Sequence, residues 1–129
     1  MEDFILLFRK TEIKDGYISE SEKQKAYKKW ANWFGGIEAQ GKINNMGIRL
    51  NSLGAVLKPG GVITDGPFVE IKERLNGFIV IKAENLEDAI TLAHGCPILD
   101  DQGSVEIRPF KLSDQKQFDL LTGNSIVDR

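Results

Sequence analysis

The sequence predicts an α+β domain whose elements run βαββαβ, with one extra hairpin inserted between the second and third strands. Three observations carry this expectation. Two short stretches, Phe4 to Phe8 and Phe78 to Ile81, are apolar without a polar break. Two helical stretches open on capping residues, Ser19 and Asn85. A last stretch, Gly103 to Phe110, alternates cleanly between apolar and polar residues.

In chain order, Phe4 to Phe8 is rich in strand formers and bounded by charges. A strand with water on one side alternates, so an unbroken apolar run predicts burial on both faces. Ser19 with Glu22 three residues on fits a capping box, and a helix follows. Ala26, Tyr27, Trp30, Ala31, Trp33, Phe34 and Ile37 recur at helical spacing, with Lys23, Lys25, Lys28 and Lys29 largely opposite. That aromatic stripe is read as a core face, since an amphipathic helix needs one, and not as a base-stacking surface. Gly41 is the expected stop. Lys42 to Gly47 reads as a connection. Ile48 to Leu57 reads as the second extended region, with a slip near Ser52 to Gly54 that suggests a bulge. Lys58-Pro59-Gly60-Gly61 is a hairpin turn, and Val62-Ile63-Thr64 a short return strand. Gly77 to Ala83 holds the second apolar strand. Asn85 is the expected N-cap of the second helix, with Glu87 and Asp88 in the turn that the helix dipole favours for acids. Its apolar face is expected at Leu86, Ala89, Ile90 and Ala93, and Gly95 with Pro97 end it. Pro109 places the last strand at an edge or terminus, because proline cannot donate to a ladder.

The chain has 129 residues, which predicts one domain, expected over 1–112 with a tail at 113–129. With 41% hydrophobic and 28% charged residues it reads as an ordinary soluble domain. The net charge of −2, without any Lys/Arg block, argues against direct nucleic-acid binding. Cys96 and His94 are the single cysteine and the single histidine, so neither a disulfide framework nor a metal constellation is expected, and no cofactor motif is read. The start of the chain, Met1-Glu2-Asp3, is acidic and its apolar run too short for a secretory leader. No run approaches the roughly 18 apolar residues of a membrane span, and a cytoplasmic location is expected.

Without the hairpin, the order is the split-βαβ, ferredoxin-like pattern, in which the first and third strands are central. Both helices then cover one face of the sheet. Ile5, Leu7, Ile79 and Ile81, or their alternates, are left facing water, forfeiting about 1.5–3 kcal/mol per side chain. A second layer is therefore expected, supplied by a two-fold pairing of open face on open face, a homodimer.

Asp65-Gly66-Pro67-Phe68, Lys72-Glu73, Gly77-Phe78, Leu86-Glu87-Asp88-Ala89, Cys96-Pro97 and Gly103 to Pro109 form one series. Together they resemble the YCII-related proteins, in particular the group named for its DGPF motif. The resemblance runs from the first strand to about Phe110. It implies the dimeric α+β barrel, with ferredoxin-like subunits face to face, and a biochemical role that is largely unassigned. Some branches are held to be enzymes with a His–Asp pair, and some members are fused to other modules. This chain departs from the enzyme branch. The first helix has no histidine, and Cys96 stands where that branch carries an acid before the proline.

The rigid corner Asp65-Gly66-Pro67 holds one carboxylate in a set direction, with Glu70 close behind. Two readings are open for it. Arg108 pins the Asp65 turn, or Asp65 and Arg108 face a small polar cleft in which Asp65 handles a proton and Arg108 an anion. Ser52 is a further candidate hydroxyl for that cleft. His94, near a helix C-terminus, is a candidate to assist. His94 and Cys96 are not expected to pair, since residues two apart on a helix point away from each other. The function expected is a small-molecule-binding or accessory module with a polar cleft at this corner, Glu70, Arg108 and Ser52 contacting the ligand. The alternative is a cofactor-independent enzyme using Asp65, with His94, as general acid/base.

Overall fold

A computed structural model describes residues 1–10, 19–50, 54–65, 74–111, 120–121 and 123, with only the backbone of Thr64 and Asp65. Strand β1 is Glu2–Lys10, helix α1 Glu20–Glu38, β2 Ile43–Arg49, β3 Ala55–Lys58, β4 Val62–Asp65, β5 Arg74–Ala83, helix α2 Leu86–Ala93 and β6 Ser104–Phe110. One antiparallel sheet has the order β2-β5-β1-β6, and β3 pairs with β4 in a separate two-stranded ribbon. This is the ferredoxin-like α+β arrangement. The two uninterrupted apolar strands, β1 and β5, are the central ones, and proline-bearing β6 lies at an edge.

Both helices start as their caps dictate. Ser19 and Glu22 make a reciprocal capping box: the Glu22 N–H donates to Ser19 Oγ at 3.2 Å, and the Ser19 N–H donates to Glu22 Oε1 at 3.0 Å. Asn85 Oδ1 accepts from the Asp88 N–H at 2.8 Å.

The ladder sorts the apolar side chains by face. Leu6 lies opposite Ile79 and Phe4 opposite Ile81, so these four share a face with Phe8. They are buried with Ile37, Ala83, Ala89, Ala93, Cys96 and Ile98 beneath the two helices. The other face carries Ile5 and Leu7 beside Val80 and Phe78, all only half-buried. Ile79 and Ile81 therefore belong to the helix side. The open face is made by Ile5 and Leu7 with the alternates on β5.

Three details differ from the sequence expectation. Lys42 to Gly47 is not a connection, because β2 already begins at Ile43. Its register against β5 shifts twice, between Ile43 and Asn45 and again between Asn45 and Ile48, and this double bulge erases the two-residue alternation that marks a strand. Helix α2 seats on Ala89 and Ala93, with Leu92 packed alongside, while Leu86 and Ile90 are exposed. A short helix lying close to a sheet presents small residues at the contact, and its larger ones fall to the flanks. Helix α1 engages the core from Trp30 onward, and Ala26 and Ala31 face solvent.

The β3–β4 ribbon is apolar on the outside. Leu57 and Ile63, paired across it, are 72% and 67% exposed. Among the described residues, no helix is long and apolar enough to cross a membrane. The tail expected from residue 113 falls largely outside the described residues.

Candidate functional site

The aromatic stripe of α1 does more than fill the core. Phe8 on β1 meets Trp30 edge to face, ring centroids 5.3 Å apart at 79°, and Trp33 at 6.0 Å. Phe34 closes the cluster against Trp33 at 5.4 Å. Trp33 is held from its far side, its Nε1–H donating to the Leu92 carbonyl at 2.9 Å and so tying α1 to α2. These mutual contacts fix the rings, so the side of the cluster that does not meet protein is a preformed wall.

That wall borders a cavity of about 340 Å³ between α1 and the β2 end of the sheet. Tyr27, Trp30 and Phe34, at i, i+3 and i+7 on one helix face, form one side. Pro97 and Ile98, in the 3₁₀ turn that follows α2, contribute another. Met46, Gly47, Ile48 and Arg49 of β2, with Asn76 to Ile79 of β5, complete it.

The β2 boundary depends on glycine. Gly47 has φ +68°, and a Cβ there would overlap the Phe78 carbonyl oxygen. Its N–H donates to Asn45 Oδ1 at 2.7 Å, which pins the bulge. Across the ladder, a Cβ on Gly77 would stand 2.6 Å from the Ile48 carbonyl oxygen. The two glycines allow β2 to fold in against β5, and this brings residues 46–49 to the cavity.

Charges gather at the same end of the sheet. Lys10 and Asp101 both line the cavity and form an ion pair, Nζ to Oδ2 2.6 Å. Arg49 lines it too and has no ion-pair partner among the described residues. Its neighbour across the ladder is Gly77, which has no side chain to offer. Asn76 adds an amide. Lys10, Arg49, Asn76 and Asp101 were not among the residues expected from sequence. The signal available was Gly47 and Gly77 flanking strand-like stretches, which marks a bulge and a close backbone approach but not what gathers around it.

The residues expected to form a site are not brought together among those described. Ser52 and Glu70 lie outside the described residues, as does the Asp65 side chain, whose backbone ends β4 opposite Ala55. Arg108 sits on β6, the edge strand farthest from β2. Its side chain is 67% exposed and its Nε lies 4.0 Å from Glu106 Oε2. His94 is the exposed C-cap of α2. Cys96 is fully buried, and burial pushes its thiol up to about 11. The two side chains diverge, and Cys96 is a packing residue with no thiolate to offer near neutral pH.

A ferredoxin-like α+β subunit with an aromatic-walled cavity beside one sheet edge is the class of protein that fold and site define. The family follows from comparison with known proteins. The family model described as YCII-related domain matches residues 12–112, well over half of the chain, and the chain belongs to that family. A stretch of 52 residues is 38% identical to an uncharacterized protein of Rhizobium meliloti (strain 1021). That stretch is 40% of this chain and 42% of the relative, so the likeness spans less than half of the relative's length.

Proposed function

We propose that the chain is a small-molecule-binding module that works as a face-to-face pair of copies. The observation that carries the binding role is the aromatic-walled cavity. Its volume falls at the lower end of the range for small-molecule sites, and it joins an apolar body to a few polar groups, as such sites do. Binding is favoured over catalysis by the make-up of the wall. Among its described residues there is no histidine, cysteine or serine, and its one carboxylate, Asp101, is already paired with Lys10. Among the described lining residues, the Tyr27 phenol is then the one unpaired group left for general acid–base work, a weak basis for catalysis near neutral pH. Asp65, Glu70, Ser52 and Arg108 stay in this proposal as candidate polar contacts for a ligand, and of these Arg108 alone has a described side chain.

The test is a ligand screen by thermal shift on the full chain, repeated on Ile48→Trp. Ile48 lines the cavity yet is 57% exposed, so a larger ring there narrows the mouth without disturbing the core. A ligand held by the native state raises the melting temperature by mass action. The expected result is a shift on the natural chain that Ile48→Trp abolishes. A ligand whose shift survives in that variant places binding elsewhere and overturns the cavity reading.

A further inference from the structure

We infer that the cavity takes a flat one- or two-ring compound carrying a single anionic group, with Arg49 holding the anion. This rests on the cavity reading above and adds the chemistry of the ligand to it.

The shape argument comes from the rings. Tyr27, Trp30 and Phe34 stand on one face of α1, and Phe8 braces Trp30 from the sheet. Trp30 and Phe34 lie at 39° to one another with centroids 6.0 Å apart. Trp30 and Phe34, held by their ring neighbours, present fixed faces and edges, and a flat aromatic body meets them in offset or edge-to-face contact without reordering either. A volume of about 340 Å³ holds a body of this size.

The charge argument comes from what is already paired. The described lining holds two cations, Lys10 and Arg49, and one anion, Asp101. Asp101 takes the Lys10 ammonium at 2.6 Å, which leaves the guanidinium of Arg49 as the excess charge. The opposing strand position is Gly77, so no side chain across the ladder competes for it. A planar guanidinium presents paired donors that match the two oxygens of a carboxylate, and the Asn76 amide lies in the same wall to donate a further hydrogen bond. A single cation without an ion-pair partner among the described residues favours a monoanion over a dianion. The bulge at Gly47 thus has a purpose beyond strand geometry. It carries Arg49 to the rim of an aromatic slot.

The experiment uses 2-naphthoate and its neutral counterpart 2-naphthamide, with tryptophan fluorescence and amide chemical shifts as readouts, on the natural chain, Arg49→Gln and Ile48→Trp. On the natural chain, 2-naphthoate is expected to bind about tenfold more tightly than 2-naphthamide, the scale of one charge-assisted hydrogen-bonded pair. In Arg49→Gln that preference is expected to vanish while 2-naphthamide binds as before, and Ile48→Trp is expected to weaken both. Equal binding of the two probes to the natural chain, or a preference that survives in Arg49→Gln, overturns the anion assignment. If Ile48→Trp still weakens both probes in that case, the cavity reading stands without it. Binding of neither probe overturns the ligand class, and a shift pattern remote from Trp30 and Ile48 overturns the cavity reading itself.

Discussion

Cys96 shows how position decides chemistry for a single side chain. It lies one residue before the 3₁₀ turn Pro97–Asp101 with 1% of its surface exposed, and burial is the leading cause of its raised pKa. A maleimide probe is therefore expected to label the native protein slowly at neutral pH, at a rate set by opening of the fold. A fast, pH-independent reaction in mildly acid buffer would show an activated thiolate and sink that view. The same shift links to stability. The folded-state pKa lies above the unfolded one, so the contribution is complete below about pH 8.5 and is lost as pH rises toward about 11, about 3 kcal/mol in all. Denaturant titrations on Cys96→Ala and the natural chain at pH 8 and pH 10.5 check it, the natural chain losing more stability between them than the variant does. Asp65 is the other residue where one substitution decides. If its carboxylate accepts N–H bonds inside the turn, Asp65→Ala lowers stability by about 1–2 kcal/mol, as lost caps do. Unchanged stability with lost ligand binding would instead move Asp65 into a site.

Among the elements, α1 and β2 carry the cavity, and each has one local feature on which it depends. The capping box at Ser19 starts α1, whose ring-bearing face begins two turns later, and Ser19→Ala is expected to cost about 1 kcal/mol in a denaturant titration. Gly47 holds the β2 bulge at a positive φ against the Phe78 carbonyl. Gly47→Ala meets both a strained backbone and a steric overlap, so a loss of about 2–4 kcal/mol is expected, together with loss of probe binding in the cavity. A Gly47→Ala protein as stable as the parent would show that the bulge is not needed. Helix α2 is held by charge as well as by its cap. Asp88 Oδ2 accepts from the Glu84 N–H at 2.9 Å and from Lys42 Nζ at 3.0 Å, and both lower its pKa, the backbone bond more. A depressed carboxyl contributes stability that is present above its unfolded value and lost as pH falls through the folded one. Lys42→Met is accordingly expected to flatten the loss of stability below about pH 4.

For the whole molecule the open sheet face is the feature that the single chain leaves unexplained. Ile5, Leu7, Phe78 and Val80 are only half-buried on two central strands, and Arg9, Glu106 and Arg108 flank them with both signs of charge. Closing two such faces on each other recovers the remaining apolar burial and pairs an isologous surface with itself. Light scattering at micromolar concentration is expected to report twice the mass of the chain. Leu7→Lys, which puts a charge at the centre of that face and leaves the helix side untouched, is expected to give a folded monomer by circular dichroism. A natural chain that runs as a monomer throughout would dispose of the paired assembly.

The sequence by itself determined most of the element types, the two helix starts and the edge position of β6. Each of these follows from signals that lie within a few residues of one another: a cap and its partner three positions on, an unbroken apolar run, a proline that bars a strand from the middle of a sheet. Only the tertiary structure decided what those elements gather. The pairing of Leu6 with Ile79 assigned the two faces of the sheet, which a run apolar on both sides cannot do, because such a run has no phase to read. The double bulge hid β2 from its own pattern. The cavity joins residues from β1, α1, β2, β5 and the turn after α2, and no spacing in the chain encodes the distance between Arg49 and Trp30. Local signals reach over a turn or a strand, whereas a binding surface is made where packing brings distant segments side by side.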